Sequence, residues 1–229
     1  MKTTNLHDWN LPYAQARALQ SELASQIKFT PVKKPPRIVA GLDCAFSRSG
    51  ETIFAGVVVL QLPDFTVLET AFASEPVTFP YIPGLLSFRE APACISAIHK
   101  LRHEPDLFIV DGQGIAHPRR LGLAAHLGLF VDKPFIGCAK SRLTGDYNEP
   151  GQEKGSVSPL TDYKTSEIIG SVVRTRTNVK PVFISVGNNC TLDDAVRLTL
   201  RCTTKYRLPE PTRSAHNFIG KTSKAPRPG

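Results

Sequence analysis

Three carboxylates stand where a carboxylate needs explaining. Asp43 lies inside the apolar run Ile38-Val39-Ala40-Gly41-Leu42-Asp43-Cys44-Ala45-Phe46. An acid in the middle of such a strand is costly to bury unless a partner satisfies it. It is either turned to solvent, paired with a cation, or part of a site. Asp111 ends the run Leu107-Phe108-Ile109-Val110 and precedes Gly112. Acids at the carboxyl ends of buried strands often face a ligand crevice, although Asp-Gly is also a plain turn pair. Glu90 follows Phe88-Arg89 at the start of a helical pattern. There it serves the positive helix end or joins the other two acids.

Two loops add candidate groups. Phe79-Pro80-Tyr81-Ile82-Pro83-Gly84 is stiffened by two prolines and presents Tyr81 and Ile82. A rigid apolar tip can enter a base stack and displace a base. The competing reading is a packed connection between elements. Asp111-Gly112-Gln113-Gly114-Ile115-Ala116-His117-Pro118-Arg119-Arg120-Leu121-Gly122 combines glycines, a histidine and two arginines. Its glycines permit close backbone approach to a ligand, and Arg119 and Arg120 could meet phosphates. No Gly-Lys-Ser/Thr follows and no dinucleotide fingerprint is present. His117 before a proline is also a reasonable cap or structural residue.

The elements that must position these groups follow from periodicity and punctuation. Helices are expected over Leu11–Phe29, Ser87–His103, His117–Leu129 and Leu192–Thr203, with a short one over Pro211–Phe218. Strands are expected over Arg37–Phe46, Ile53–Gln61 and Phe65–Ala73, joined by turns at Gly50 and Pro63-Asp64. Further strands are expected over Leu107–Asp111, Pro134–Ala139, Ile168–Thr175 and Val182–Val186. Thr144–Ser158 is turn-rich and reads as an exposed insertion. A meander followed by alternating helices and strands predicts an α/β fold, a ribonuclease H-like mixed β-sheet flanked by helices on both faces. Residues 1–219 are expected to form one domain and the basic stretch 220–229 a disordered tail.

In such a sheet the first and fourth strands adjoin, so Asp43 and Asp111 face each other. Two carboxylates so close repel unless a cation lies between them. Hard oxygen ligands favour Mg²⁺, with Mn²⁺ able to substitute. Such a site can activate water and stabilise the leaving oxygen of a phosphodiester. A net charge of +8 favours a polyanionic partner. The five cysteines are odd in number and contain no Cys-x-x-Cys pair, which argues against a disulfide framework or zinc knuckle. No signal core or bilayer-length apolar run is present, so a cytoplasmic location without membrane contact is expected.

Five segments together resemble the endonuclease V family. They are Gly41-Leu42-Asp43; Pro80 to Glu90; Asp111-Gly112-Gln113-Gly114 with His117-Pro118-Arg119; Gly137-Cys138-Ala139-Lys140-Ser141-Arg142-Leu143; and Leu208 to Arg213 followed by Ala215-His216. The resemblance runs from about Leu11 to His216. It implies that Asp43 and Asp111 hold the metal, that Glu90 completes the acidic site, and that His216 approaches it from the C-terminal helix. It implies that Lys140 sits near the scissile phosphate. Tyr81 would head a wedge with Ile82 and Pro83, and His117 and Arg119 would belong to the same DNA-binding surface. Gly84, Leu86, Gly112, Gly122, Leu123 and Gly137 would line a base pocket. Backbone of Gly84, Gly112 and Gly137 could offer hypoxanthine a carbonyl for N1–H and an amide for O6.

The implied partner is DNA containing deoxyinosine or another deaminated base, with inosine RNA as a second substrate and a monomer as the working form. The implied reaction is a nick at the second phosphodiester bond 3′ to the lesion. It leaves 3′-hydroxyl and 5′-phosphate ends, and begins repair. The same acids would serve an inosine-directed ribonuclease or a structure-directed nuclease. A protein that binds inosine without cutting is a further alternative, opposed by the presence of all three acids and Lys140. One departure stands out. Many relatives carry Gly-His where this chain has Gly187-Asn188. Asn188 cannot take up a proton near neutrality, which puts rate or substrate preference in question.

Overall fold

The computed structural model describes residue 1 and residues 3–223. Helix α1 (Tyr13–Ala24) precedes three strands, β1 (Ile38–Phe46), β2 (Thr52–Gln61) and β3 (Thr66–Pro76). Then come α2 (Leu86–His99), β4 (Leu107–Val110), α3 (Leu123–Val131) and β5 (Phe135–Ala139). Strands β6 (Val157–Thr161), β7 (Ile168–Val173) and β8 (Val182–Asn188) follow, with α4 (Leu192–Arg201) and α5 (Glu210–Thr222) closing the described chain. All eight strands form one sheet in the order β3-β2-β1-β4-β5-β8-β7-β6. β1 pairs antiparallel with β2 and parallel with β4, and β4 pairs parallel with β5. This is the ribonuclease H-like mixed sheet expected of the sequence.

Strand alternation sorts β1 into two faces. Ala40 and Leu42 join Phe108, Val110 and the inner sides of α2 and α3 in one core. Gly41 and Asp43 point to the other face, where Val58 and Leu60 pack on Ala215 of α5. A side chain at Gly41 would collide with the backbone of Pro211, its Cβ only 1.8 Å from the carbonyl oxygen. The missing side chain lets the start of α5 lie directly on β1. Helices therefore cover both faces, and α5 covers the one that carries Asp43.

Several boundaries differ from the sequence reading, each for a physical reason. The segment His117–Gly122 is a loop rather than the start of α3, with Arg120 at φ 58°. Thr144–Ser158 is not wholly an insertion, since Val157 opens β6 and pairs with Val173 of β7. β6 is an edge strand, where Pro159 is tolerated because one side of the ladder is open. The helix expected from Ser87 to His103 runs from Leu86 to His99, with Pro92 in its middle. α5 runs to Thr222, so residues 220–222 are helical and not tail. The remainder of the expected tail, residues 224–229, lies outside the described residues. Among the described residues no helix is long and apolar enough to cross a membrane.

Candidate active site

Asp43 and Asp111 meet because β1 and β4 run parallel in register, Leu42 beside Val110. The backbone N–H of Asp111 donates to the Leu42 carbonyl at 3.0 Å, which locks the two acids at neighbouring strand positions. Asp43 is buried, at 8% exposure. Its Oδ1 accepts from the Cys44 amide at 2.8 Å and its Oδ2 pairs with His216 Nδ1 at 2.8 Å. Burial and then the charge of Asp111 raise the Asp43 pKa, against the pull of His216, the Cys44 amide and Lys140. Lys140, at the end of β5, forms an ion pair with Asp111 Oδ2. That oxygen is buried and has no aligned hydrogen-bond donor.

Glu90 sits one turn into α2, where its carboxylate is recessed although the residue keeps some exposure. Desolvation, then the charges of Asp43 and Asp111, push its pKa up to about 8, against Arg89. A site that resists holding three negative charges is a site for a cation. Oxygens of Asp43 and Asp111 and a nitrogen of His216 lie within 4.8 Å of one another, a donor set that fits a hard divalent ion.

A cavity of about 450 Å³ opens beside these acids. Glu90, Asp111 and Lys140 form one wall, and Tyr81, Ile82, Pro83 and Gly84 form the rim. Leu86, Gly112, Gly122, Leu123 and His117 also line it. Gly137 does not line it. A Cβ there would strike the Gly114 amide at 2.3 Å, so Gly137 lets the glycine loop lie close on β5, behind the wall. Tyr81 is 70% exposed at the tip of its loop. The tip is a turn in which the Leu85 N–H donates to the Ile82 carbonyl at 2.9 Å. Pro83 and Gly84 occupy its centre, and Gly84 has φ 78°, a conformation suited to glycine.

The two arginines both have partners within the protein. Arg119 Nη2 donates to the Gly84 carbonyl at 2.7 Å, and Arg119 Nε donates to Gln20 Oε1. Arg120 pairs with Asp162 and Glu167. The Gly84 carbonyl thus already accepts from Arg119, and from Gln20 Nε2 at 3.0 Å. His117 is buried, accepts the Arg119 amide at Nδ1 and contacts the Gly84 backbone. Burial, then Arg119, lowers its pKa to about 4, so it is neutral at physiological pH. Asn188 is buried at the end of β8, opposite Phe135 at the start of β5. It accepts from the Lys28 amide and donates to the Gly128 carbonyl, so it bridges elements and has no contact with the cavity.

Sequence reasoning passed over Gln20 and Ser87. Ser87 lines the cavity and its hydroxyl contacts His126 Nδ1 at 3.0 Å. Gln20 had a visible signal, a lone amide on an otherwise apolar helix face with Ala16 and Leu23.

The comparisons with known proteins agree in direction. A family model described as Endonuclease V matches residues 21–217. The chain is 50% identical over 211 residues to Endonuclease V of Alkalilimnicola ehrlichii, covering 92% of each chain. It is 49% identical over 218 residues to that of Kosmotoga olearia, covering 94% of each. The crystal structure of Endonuclease V from Streptomyces avermitilis superposes with a TM-score of 0.89 at 41% identity, covering 94% of this chain and 95% of that one. Endonuclease V of Ciona intestinalis has been solved with a 23mer DNA containing an inosine followed by a ribo-adenosine. It superposes with a TM-score of 0.81 at 28% identity, covering 92% of this chain and 96% of that one. The fold and the paired acids thus define a nuclease of the ribonuclease H-like class. Within that class, the chain belongs to the endonuclease V family.

Proposed function

We propose that this protein is a Mg²⁺-dependent endonuclease that draws a deaminated purine, above all hypoxanthine, out of DNA. It then nicks the second phosphodiester bond 3′ to the lesion and leaves 3′-hydroxyl and 5′-phosphate ends. The observation that carries this reading is the single cavity whose rim is the Tyr81 loop and whose wall holds Glu90, Asp111 and Lys140. Base capture and strand cleavage thereby share one space. Asp43, Asp111 and His216 are the groups that would hold the cation. When bound, it supplies Lewis-acid stabilisation of the phosphodiester transition state. Mn²⁺ would serve in its place.

The chain's own residues divide the remaining work. Tyr81 fills the gap that the extruded base leaves, recovering on the order of 1–3 kcal/mol by stacking. Lys140 neutralises Asp111 and offers its ammonium group to the phosphate at the same wall. Leu86 and Ser87 open α2 at the cavity, where helix-terminal amides lack helical acceptors and suit a base carbonyl such as O6. Gly112, Gly122 and Leu123 complete the base-sized recess. The working form is taken to be a cytoplasmic monomer that starts repair.

A second reading is cleavage of inosine-containing RNA. The Ciona intestinalis complex favours it, since the bound strand there carries a ribonucleotide after the inosine. One gel distinguishes the two. Duplexes with inosine, with a 2′-hydroxyl on the nucleotide 3′ to inosine, and without lesion are incubated with Mg²⁺ and resolved under denaturing conditions. The DNA reading expects a nick in the all-deoxy inosine strand and none in the plain strand. Asp43→Asn and Asp111→Asn should lose the nick and retain binding. Cutting only where the 2′-hydroxyl is present transfers the assignment to RNA, and cutting of plain duplex at the same rate removes base recognition altogether.

A further inference from the structure

We infer that Gln20, on a helix that gives the cavity no residue, is a positioning residue for the Tyr81 wedge. The inference rests on the base-extrusion reading above and deepens it. Gln20 has no exposed surface. A buried amide is costly unless its donors and acceptor are met. Here Nε2 donates to the Gly84 carbonyl at 3.0 Å and to the Leu121 carbonyl at 2.8 Å. Its Oε1 accepts from Arg119 Nε, while Arg119 Nη2 reaches the same Gly84 carbonyl. One side chain of α1 thus ties the rim loop to the loop that forms the cavity floor.

The place of attachment matters more than the number of bonds. Gly84 is the third residue of the turn that displays Tyr81, and its carbonyl orientation sets the plane of the Gly84–Leu85 peptide. Two donors, one of them cationic, hold that oxygen, and neither of them lines the cavity. Such a clamp fixes the direction in which Tyr81, Ile82 and Pro83 point before DNA arrives. A wedge held in advance loses less freedom on binding than one that must be ordered in the complex. The gain applies only where a stacked base must be displaced, which is the duplex case.

The test uses Gln20→Met, which keeps length and helix preference and removes all three hydrogen bonds. Affinities for inosine in duplex and in single-stranded DNA are measured in Ca²⁺, where cutting is expected to be slow. The duplex affinity should fall about tenfold, the loss of roughly one well-made hydrogen bond's worth of preorganisation. The single-strand affinity and the single-strand kcat should stay within about twofold, a difference under half a kcal/mol. In the background of Tyr81→Ala the Gln20→Met loss should nearly vanish, because residues acting through one device are not additive.

Arg119→Leu removes the other half of the clamp from a partly exposed side chain and should show the same duplex-selective loss. It keeps the test decisive should Gln20→Met fold poorly. Equal losses on both substrates, or full additivity with Tyr81→Ala, would overturn the inference and leave the function standing. A wild-type protein with no preference for inosine in either substrate would overturn both.

Discussion

Glu90 shows what crowding three acids together costs the fold that carries them. Its carboxylate has been drawn out of water beside two other acids, and its pKa has risen to about 8. The unfolded chain would release that proton near 4.5. The folded protein therefore binds the proton more tightly, so Glu90 favours folding at acid pH and loses that contribution as pH rises towards 8. Glutamine imitates the protonated form at every pH. In a chelator, Glu90→Gln should match the wild type near pH 4.5, gain on it as pH rises, and level off above about 8. The gap there should be on the order of 2–4 kcal/mol, allowing for the coupling among the three acids. Urea midpoints at pH 5, 7 and 8.5 measure it. A gap that does not change with pH would mean that Glu90 is solvated in the folded protein. The same variant should nick inosine duplex poorly, a trade of activity for stability common at functional sites.

At the scale of elements, the acids were legible because an Asp inside an apolar strand is conspicuous, while their supports were not. His216 lies 173 residues from its partner Asp43, and the sequence holds no local trace of that contact. The resemblance alone suggested that the C-terminal helix approaches the site. What permits the approach is Gly41, whose missing side chain admits the Pro211 backbone. α5 was read too short because Gly220 and Lys221 suggest a tail, yet the helix continues through both to Thr222. β6 escaped notice because Pro159 breaks its pattern, and only the ladder to β7 makes it a strand. Gln20 was visible as an oddity, but its acceptors lie in two loops that sequence reasoning could not bring to α1.

Gly41→Ala tests the element-level account. Its Cβ would meet backbone, which has no rotamer to change, so α5 must lift from β1. Overpacking of this kind costs about 1–3 kcal/mol. Nicking should fall at least as far as in His216→Ala, because the 2.8 Å contact with Asp43 opens. Gly56→Ala is the control, since it meets the Phe218 ring at 3.0 Å, a side chain that can yield. Urea melts and nicking rates of the three variants decide, and wild-type nicking by Gly41→Ala would dissociate α5 from the reaction.

The whole molecule separates two kinds of recognition. Its 28 Lys and Arg against 20 Asp and Glu give a charge of +8, which acts on any phosphate backbone. Each phosphate neutralised releases counterions, so log affinity should fall linearly with log salt, by roughly 0.9 per contact. A footprint of about six to ten contacts would cost about 10³–10⁵ in affinity between 50 and 200 mM salt. The recess proposed for the base differs in character. Leu86, Gly112, Gly122 and Leu123 offer backbone polar groups and apolar surface, with no charged side chain among them. Recognition of uncharged hypoxanthine through such groups exchanges hydrogen bonds and stacking without displacing counterions. Plain and inosine duplexes should therefore give parallel salt lines, separated by a constant vertical offset. The offset is the base-specific free energy, and the common slope is the backbone contribution. Tyr81→Ala should reduce the offset and leave the slope alone, because the tyrosine meets bases and not phosphates. Fluorescence anisotropy in Ca²⁺ across a salt series reads both quantities from one set of curves. If the two lines converge as salt rises, base recognition includes an ionic contact. Lys140 or Arg142, both on the cavity wall, would then be the first residues to substitute.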